Sequence, residues 1–343
     1  MSAAVLGTAR ASRHSLILPR APDGTYGPLS LDLTIAPAPG GHESVDCIVL
    51  YVLDPEPVLF GAACLHCYAG AGYYARVPTT SAEGGFRCTH VVGIGHSVGS
   101  SFAADAVSWD GPALRNLRRR DFPPCNHPTV DPSRQPNACS RRLAGELAAT
   151  VFPHVEAKLL GLDGRPATRA LLGSSYSAVL ALQTMLHAPG AVDAFILGSP
   201  SMPFDPELVD WLRDAPLSAA KPAVFIAYGA LEREPPPAPQ EPQQAVPGTP
   251  FTADRRNVHR DIPDASHALA DLLRSRGAQA LECVEVAGED HTSLKLALIS
   301  RGLSWLLGWW AARRVASADG DGGERCNDVV PAKRRRSGDS STG

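Results

Sequence analysis

The sequence predicts an α/β fold: a mostly parallel central sheet with helices on both faces. Three observations predict it. Cys47–Leu53 (CIVLYVL) is a continuous apolar run of strand length, the pattern of a strand buried on both sides. Several such runs alternate with helical patterns along the chain, as repeated strand-helix units require. Finally, a short apolar strand at 169–172 meets an apolar helix at 178–187 through Gly173-Ser174-Ser175-Tyr176-Ser177. A Gly-x-Ser-x-small turn between strand and helix pushes one serine hydroxyl out above the sheet.

Taken in order, Ser12–Leu18 and Leu29–Ala36 are predicted strands, separated by the turn residues Pro22-Asp23-Gly24. Cys47–Leu53 and residues 89–94 (THVVGI) follow as buried strands. Between 141 and 160 the apolar residues Leu143, Leu147, Val151, Val155 and Leu159 mark one helix face, and Pro153 should kink or split that helix. Residues 169–172, 192–197, 223–228 and 282–286 complete the strands, and a long apolar helix is expected over 294–310. Glu234 to Pro250 holds seven prolines in 17 residues and predicts a flexible surface insertion. The folded unit is expected to span 1–315, followed by a disordered polar and basic tail over 316–343.

Composition narrows the function classes. The 343 residues carry a formal charge of −3, which argues against general nucleic-acid binding. No run approaches the ~18 apolar residues of a membrane span. Met1 to Arg13 lacks an apolar core, which argues against a secretory signal and points to the cytoplasm; it is free of acidic residues, which keeps a transit peptide open. Lys333-Arg334-Arg335-Arg336 allows nuclear import, although a solvated charge run is the favoured reading of its composition. Cys64-Leu65-His66-Cys67 is a C-x-x-C with no second pair to complete a zinc site, so buried free thiols on a helix are expected. No metal or organic cofactor is implied.

The turn at 173–177 predicts serine chemistry. A serine is a poor nucleophile until a base takes its proton. Ser175 is the expected nucleophile of an α/β-hydrolase fold, whose partners follow in the order serine, acid, histidine. His291 lies in the loop between the last predicted strand and the last helix, where the base belongs. Glu232, just after the strand at 223–228, is the expected acid that orients the imidazole. Asp290, adjacent to the histidine, is the alternative, and a dyad with no acid is a third arrangement. Gly95-His96-Ser97-Val98-Gly99 matches the bare nucleophile pattern letter for letter. Ser97 is set second because no convincing helix follows it, and the helix N-terminus helps place the oxyanion-stabilising amide.

Six blocks in register then carry a family resemblance: Val49 to Asp54, Val91 to Gly95, Arg119 to Pro124, Leu172 to Ala178, Ile196 to Ser201, and Gly288 to His291. Together they resemble the esterase family of α/β-hydrolases that includes the siderophore (enterochelin-type) esterases, over roughly residues 12–312. The resemblance implies a serine esterase working through an acyl-enzyme on a small-molecule ester, siderophore-type esters among the candidates. It also places the strand ending at Gly95 well upstream of the elbow, which again demotes Ser97. The backbone N–H of Tyr176 is implied as one oxyanion donor. A second donor normally comes from a glycine that is Pro55 here, and proline has no N–H, so the amide of Glu56 is the substitute. Arg120 falls in the Arg-Asp-x-x-Pro block, where it would meet an anionic or catecholate substrate or pair with a carboxylate. Two other departures are Ser177 and Ala230, where the family has glycine and an acidic residue. Pro55 and Ser177 allow a second reading, a hydrolase fold that binds without catalysing; a third keeps the chemistry but passes the acyl group to an alcohol.

Overall fold

The computed structural model of the chain describes residues 11–18, 29–38, 47–54, 57–74, 89–96, 140–163, 167–202, 206–215, 217, 221–233 and 261–318. Eight strands form one sheet: β1 (Ser12–Leu18), β2 (Leu29–Ala36), β3 (Cys47–Leu53), β4 (Thr89–His96), β5 (Ala167–Ser174), β6 (Ala194–Gly198), β7 (Ala223–Gly229) and β8 (Ala280–Val286). Their spatial order is β1-β2-β4-β3-β5-β6-β7-β8. β1 and β2 pair antiparallel, as do β2 and β4. Every pairing from β4 through β3 to β8 is parallel. This is the α/β-hydrolase architecture that the alternating pattern predicted.

The apolar runs explain the layering. Along β3, Val49, Tyr51 and Leu53 face one core, while Ile48, Leu50 and Val52 face the other. A strand alternates its side chains across the sheet, so a strand covered on both faces must be apolar throughout. The second core is closed by α1 (Pro57–Tyr74) and by the last helix, Leu294–Ala318, whose Leu298, Leu303 and Trp310 join the same core as residues of β6 and β7. That helix runs past the boundary expected at 315. The first core lies under α2, which starts as Ser140–Glu146, and under α3 (Tyr176–His187), α4 (Pro206–Asp214) and α5 (Ile262–Ser275). The last helix is therefore α6.

Pro153 leaves its mark on α2. The helix continues from Glu146 through wider turns at Leu147–Val151 and Val155–Leu159, on either side of the Phe152–His154 segment that contains the proline. In the wide turns the bonds skip five residues: the Phe152 N–H reaches the Leu147 carbonyl, and the Leu160 N–H reaches the Val155 carbonyl at 2.9 Å. Proline cannot donate, so the ladder shifts register instead of breaking. A strict spacing of four would drift around a 3.6-residue helix, and the wide turns return Leu143, Leu147, Val151 and Val155 to one buried line.

Cys64 and Cys67 are buried on α1 as free thiols. Burial pushes the Cys64 thiol up to about 12 and raises that of Cys67 too, so neither is a reactive thiolate at neutral pH. No helix among the described residues is long and apolar enough to cross a membrane. The proline-rich stretch and the basic cluster lie outside the described residues.

Candidate active site

The chain reverses its strand order around β3: β4 lies to one side of it and β5 to the other. In open parallel sheets a crevice forms beyond the carboxyl ends of the strands at such a point. Ser175 follows β5 directly, with φ 60° and ψ −121°, and α3 begins at the next residue. A non-glycine residue in this region is strained and persists only where its surroundings hold it. Here its N–H donates to the Gly198 carbonyl at 2.8 Å, and its carbonyl accepts from the N–H of Ala178 at 3.1 Å.

Two neighbours make so tight an elbow possible. A Cβ on Gly173 would stand 2.4 Å from the Ser177 carbonyl oxygen and 2.7 Å from the Ala178 nitrogen. Both obstacles are backbone and cannot swing aside, so only glycine fits. Ser177, the departure from a second glycine, is accommodated by its own hydroxyl. Its Oγ accepts the Ser174 N–H at 2.8 Å and donates to the Ser174 carbonyl at 2.8 Å. The extra atoms thereby close the turn. Gly173→Ala is expected to cost about 3 kcal/mol of stability through overpacking. Urea denaturation with an unchanged midpoint would contradict the close approach.

His291 and Glu232 reach the same crevice from the ends of β8 and β7. His291 Nε2 lies 2.9 Å from Ser175 Oγ. Its Nδ1 lies 3.0 Å from Glu232 Oε2. Glu232 sits on the single turn Ala230–Arg233, and the Leu231 N–H bonds that turn to the Glu289 carbonyl at 3.0 Å. The glutamate side chain is fully buried, whereas the imidazole side chain is 23% exposed. A buried charge needs partners. Glu232 Oε1 accepts the Gly229 N–H at 2.8 Å and the Ser199 hydroxyl in a short bond.

Burial is the largest influence on the Glu232 carboxyl and by itself would raise its pKa. The hydrogen bond and charge of His291, with the Ser199 and Gly229 donors, outweigh it and hold the group below its ordinary 4.5. A depressed carboxyl pKa stabilises the fold above the ordinary value, and that contribution is lost as pH falls through the lowered one. Glu232→Gln lacks it at every pH. The stability gap between wild type and Glu232→Gln is therefore expected to be full at neutral pH and to narrow as pH falls below 4.5. Urea titrations across that range would show a constant gap if the carboxylate were not held in this way.

Asp290 is engaged elsewhere. Its Oδ1 accepts the Thr292 and Ser293 N–H groups, each at 2.8 Å, and its own N–H donates to Ser293 Oγ at 2.9 Å. This reciprocal bonding satisfies orphan amides at the start of α6. The Ser293 amide, followed by that of Thr292, holds the Asp290 carboxyl low against a modest effect of burial. Tyr176 is the first residue of α3, so the helix's own ladder does not use its N–H. Pro55, Glu56, Ser97 and Arg120 lie outside the described residues. Among the described residues no cluster of His, Cys, Asp and Glu could hold a metal ion.

Two site residues escaped the sequence reading. Ser199 and Ser201, both fully buried, flank Pro200 just beyond β6. Ser199 has φ 40° and serves Glu232, while Ser201 Oγ stands 3.1 Å from Ser175 Oγ. The signal was present in the Ile196 to Ser201 block: two hydroxyl residues at the carboxyl end of the strand next to that of the nucleophile.

No protein-family model matches the chain. The siderophore enterobactin esterase of Emericella nidulans is 26% identical over 230 residues, covering 64% of this chain and 71% of that protein. The siderophore triacetylfusarinine C esterase of Aspergillus fumigatus is 28% identical over 153 residues, 42% of this chain and 50% of that protein. Among solved structures, siderophore hydrolase EstA from Aspergillus nidulans superposes with a TM-score of 0.60 at 21% identity, covering 88% of this chain and 95% of that one. The chain is similar in sequence to siderophore esterases and shares the α/β-hydrolase fold. The IroE-like serine hydrolase from Shewanella oneidensis shares the hydrolase fold with a TM-score of 0.54 at 17% identity, covering 87% of this chain and 80% of that one. This chain has the same α/β-hydrolase fold. It presents its serine, histidine and glutamate from three different strand ends.

Proposed function

We propose that this hydrolase cleaves siderophore-type carboxylic esters through an acyl-enzyme on Ser175. The carrying observation is the continuous hydrogen-bonded chain from Ser175 Oγ through His291 to Glu232. In this reading His291 Nε2 takes the Ser175 proton as Oγ attacks the ester carbonyl. The Glu232 carboxylate holds Nδ1–H, fixes the tautomer and stabilises the imidazolium that forms. The imidazolium then gives its proton to the departing alcohol, leaving an acyl group on Oγ. Water, deprotonated by the same imidazole, attacks that acyl group, and the acid product leaves as Ser175 regains its proton.

The Tyr176 N–H is the proposed oxyanion donor on the elbow, where the α3 N-terminus adds its dipole. The second donor is the backbone N–H of Glu56, since Pro55 offers none. Arg120 is proposed to meet an anionic or catecholate part of the substrate. The substrate class rests on the two curated relatives, whose names give a siderophore enterobactin esterase and a siderophore triacetylfusarinine C esterase.

A panel of p-nitrophenyl esters and a siderophore trilactone tests this reading. Hydrolysis of the trilactone with a higher kcat/KM than the simple esters is expected. Binding of the trilactone without turnover would instead favour the non-catalytic reading that Pro55 raises. Ester products formed with an added alcohol would mark an acyltransferase.

A further inference from the structure

The turn after β6 places a second hydroxyl on the nucleophile. Ser201 Oγ lies 3.1 Å from Ser175 Oγ, and either oxygen could donate as far as distance alone goes. Proton accounting decides the direction. The His291 Nδ1 faces the Glu232 carboxylate, which can only accept, so the neutral imidazole carries its proton on Nδ1. Nε2 is then an acceptor, and the single Ser175 hydrogen points to it across 2.9 Å. Ser175 Oγ has no second hydrogen to give. The bond between the two serines must therefore run from the Ser201 hydroxyl to Ser175 Oγ.

This donor is held in place. Ser201 is fully buried, and its N–H faces the Ser175 carbonyl at 3.4 Å. Pro200 fixes one backbone dihedral beside it. The Ser199 N–H ties the same turn to the Ala227 carbonyl at 2.7 Å. Ser175 Oγ is the hydrogen-bond partner of Ser201 Oγ among the described residues.

We propose that Ser201 is a catalytic residue whose hydroxyl donates to Ser175 Oγ and supports the negative charge that this oxygen carries as it attacks and as it is expelled. The proposal rests on the assignment of Ser175 as nucleophile. When the Ser175 proton moves to Nε2, charge builds on Oγ, and the Ser201 bond becomes charge-assisted, shorter and stronger. In the tetrahedral intermediate of deacylation the bond from Oγ to the acyl carbon breaks. Its electron pair returns to Oγ, which then takes the proton from Nε2. Ser201 keeps its own proton throughout. Its help is greatest in that second half, because a donor on a leaving oxygen eases departure without blunting a nucleophile.

The test is stopped-flow hydrolysis of p-nitrophenyl acetate by wild type, Ser201→Ala and Ser201→Cys, with melting temperatures measured alongside. Ser201→Ala is expected to lower the deacylation rate about tenfold, and acylation less, so that the nitrophenol burst persists while the steady state slows. Ser201→Cys fills the same space with a weaker donor and is expected to fall between the two. It decides the matter if the alanine variant does not fold. Deacylation within twofold of wild type in the folded variants would overturn the proposal, as would equal slowing of both steps with a lowered melting temperature. Ser175→Ala in the same assay tests the underlying assignment. If that variant keeps its turnover, the nucleophile is wrong and the Ser201 proposal falls with it, whatever the Ser201 variants do.

Discussion

Ser175→Ala is expected to abolish ester hydrolysis, lowering kcat by about 10⁴-fold or more, while Ser97→Ala keeps most of the activity. The expectation rests on geometry that no other described hydroxyl shares. Ser175 sits strained at the elbow, with a basic imidazole nitrogen 2.9 Å away. In the proposed mechanism no acyl-enzyme forms without its oxygen, and the remaining groups can only polarise the ester. His291→Ala is expected to cost nearly as much, because it removes the base from both halves of the reaction. Glu232→Ala should cost less than either, since the acid acts only through the imidazole. Steady-state kinetics on one p-nitrophenyl ester, backed by fluorophosphonate labelling, checks the order. An inactive Ser97→Ala beside an active Ser175→Ala would overturn the elbow assignment. A neutral Glu232→Ala beside a crippled Asp290→Ala would move the acid into the histidine loop.

Gly229→Ala is the second change expected to be severe, although residue 229 touches no substrate in the proposed reaction. A Cβ at this position would stand 2.3 Å from the Glu289 carbonyl oxygen and 2.7 Å from its carbonyl carbon. Those atoms belong to the loop that carries His291, and the loop is backbone at the point of contact. The loop must retreat, taking the imidazole with it. The same residue donates its N–H to Glu232 Oε1, so the glutamate would lose alignment as well. A displacement of about 1 Å in a catalytic group can cost on the order of 100-fold, and kcat should fall by at least that while KM changes little. Circular dichroism and the melting temperature would separate this from global unfolding. A variant with near-normal kcat would mean that the loop tolerates the shift and that the 2.9 Å contact between His291 and Ser175 is not maintained by this packing.

The layering and the elbow were legible because both are local. β3 reads as seven consecutive apolar residues, and all seven are buried. The strand at 169–172, the Gly-x-Ser turn and the apolar helix lie within about twenty residues of one another, and their side-chain periodicity reports burial directly. Pro153 was legible in the same way, because a missing N–H perturbs only its own helix. The wide turns that resulted were not, since a helix can kink, split or shift register at a proline, and packing selects among these.

What the sequence by itself determined is therefore the sheet, its two apolar faces, and the placing of Ser175 and His291 at the ends of their strands. The tertiary structure alone decided which groups those residues meet. Glu232 and Asp290 are both carboxylates near strand ends, yet they are separated by the docking of one short turn on one loop. The Leu231 N–H to Glu289 carbonyl bond brings Glu232 to Nδ1, while the start of α6 occupies Asp290. Ser177 reads as a defect in the motif until its hydroxyl is seen bridging the Ser174 backbone. Ser199 and Ser201 gain their partners only because β6 lies between β5 and β7. The physical reason is common to all of these. Periodicity encodes which face of an element avoids water, whereas a side-chain hydrogen bond depends on positions set by strands far apart in the chain. His291 and Ser175 are separated by 116 residues and Glu232 and His291 by 59, and no local pattern spans either distance.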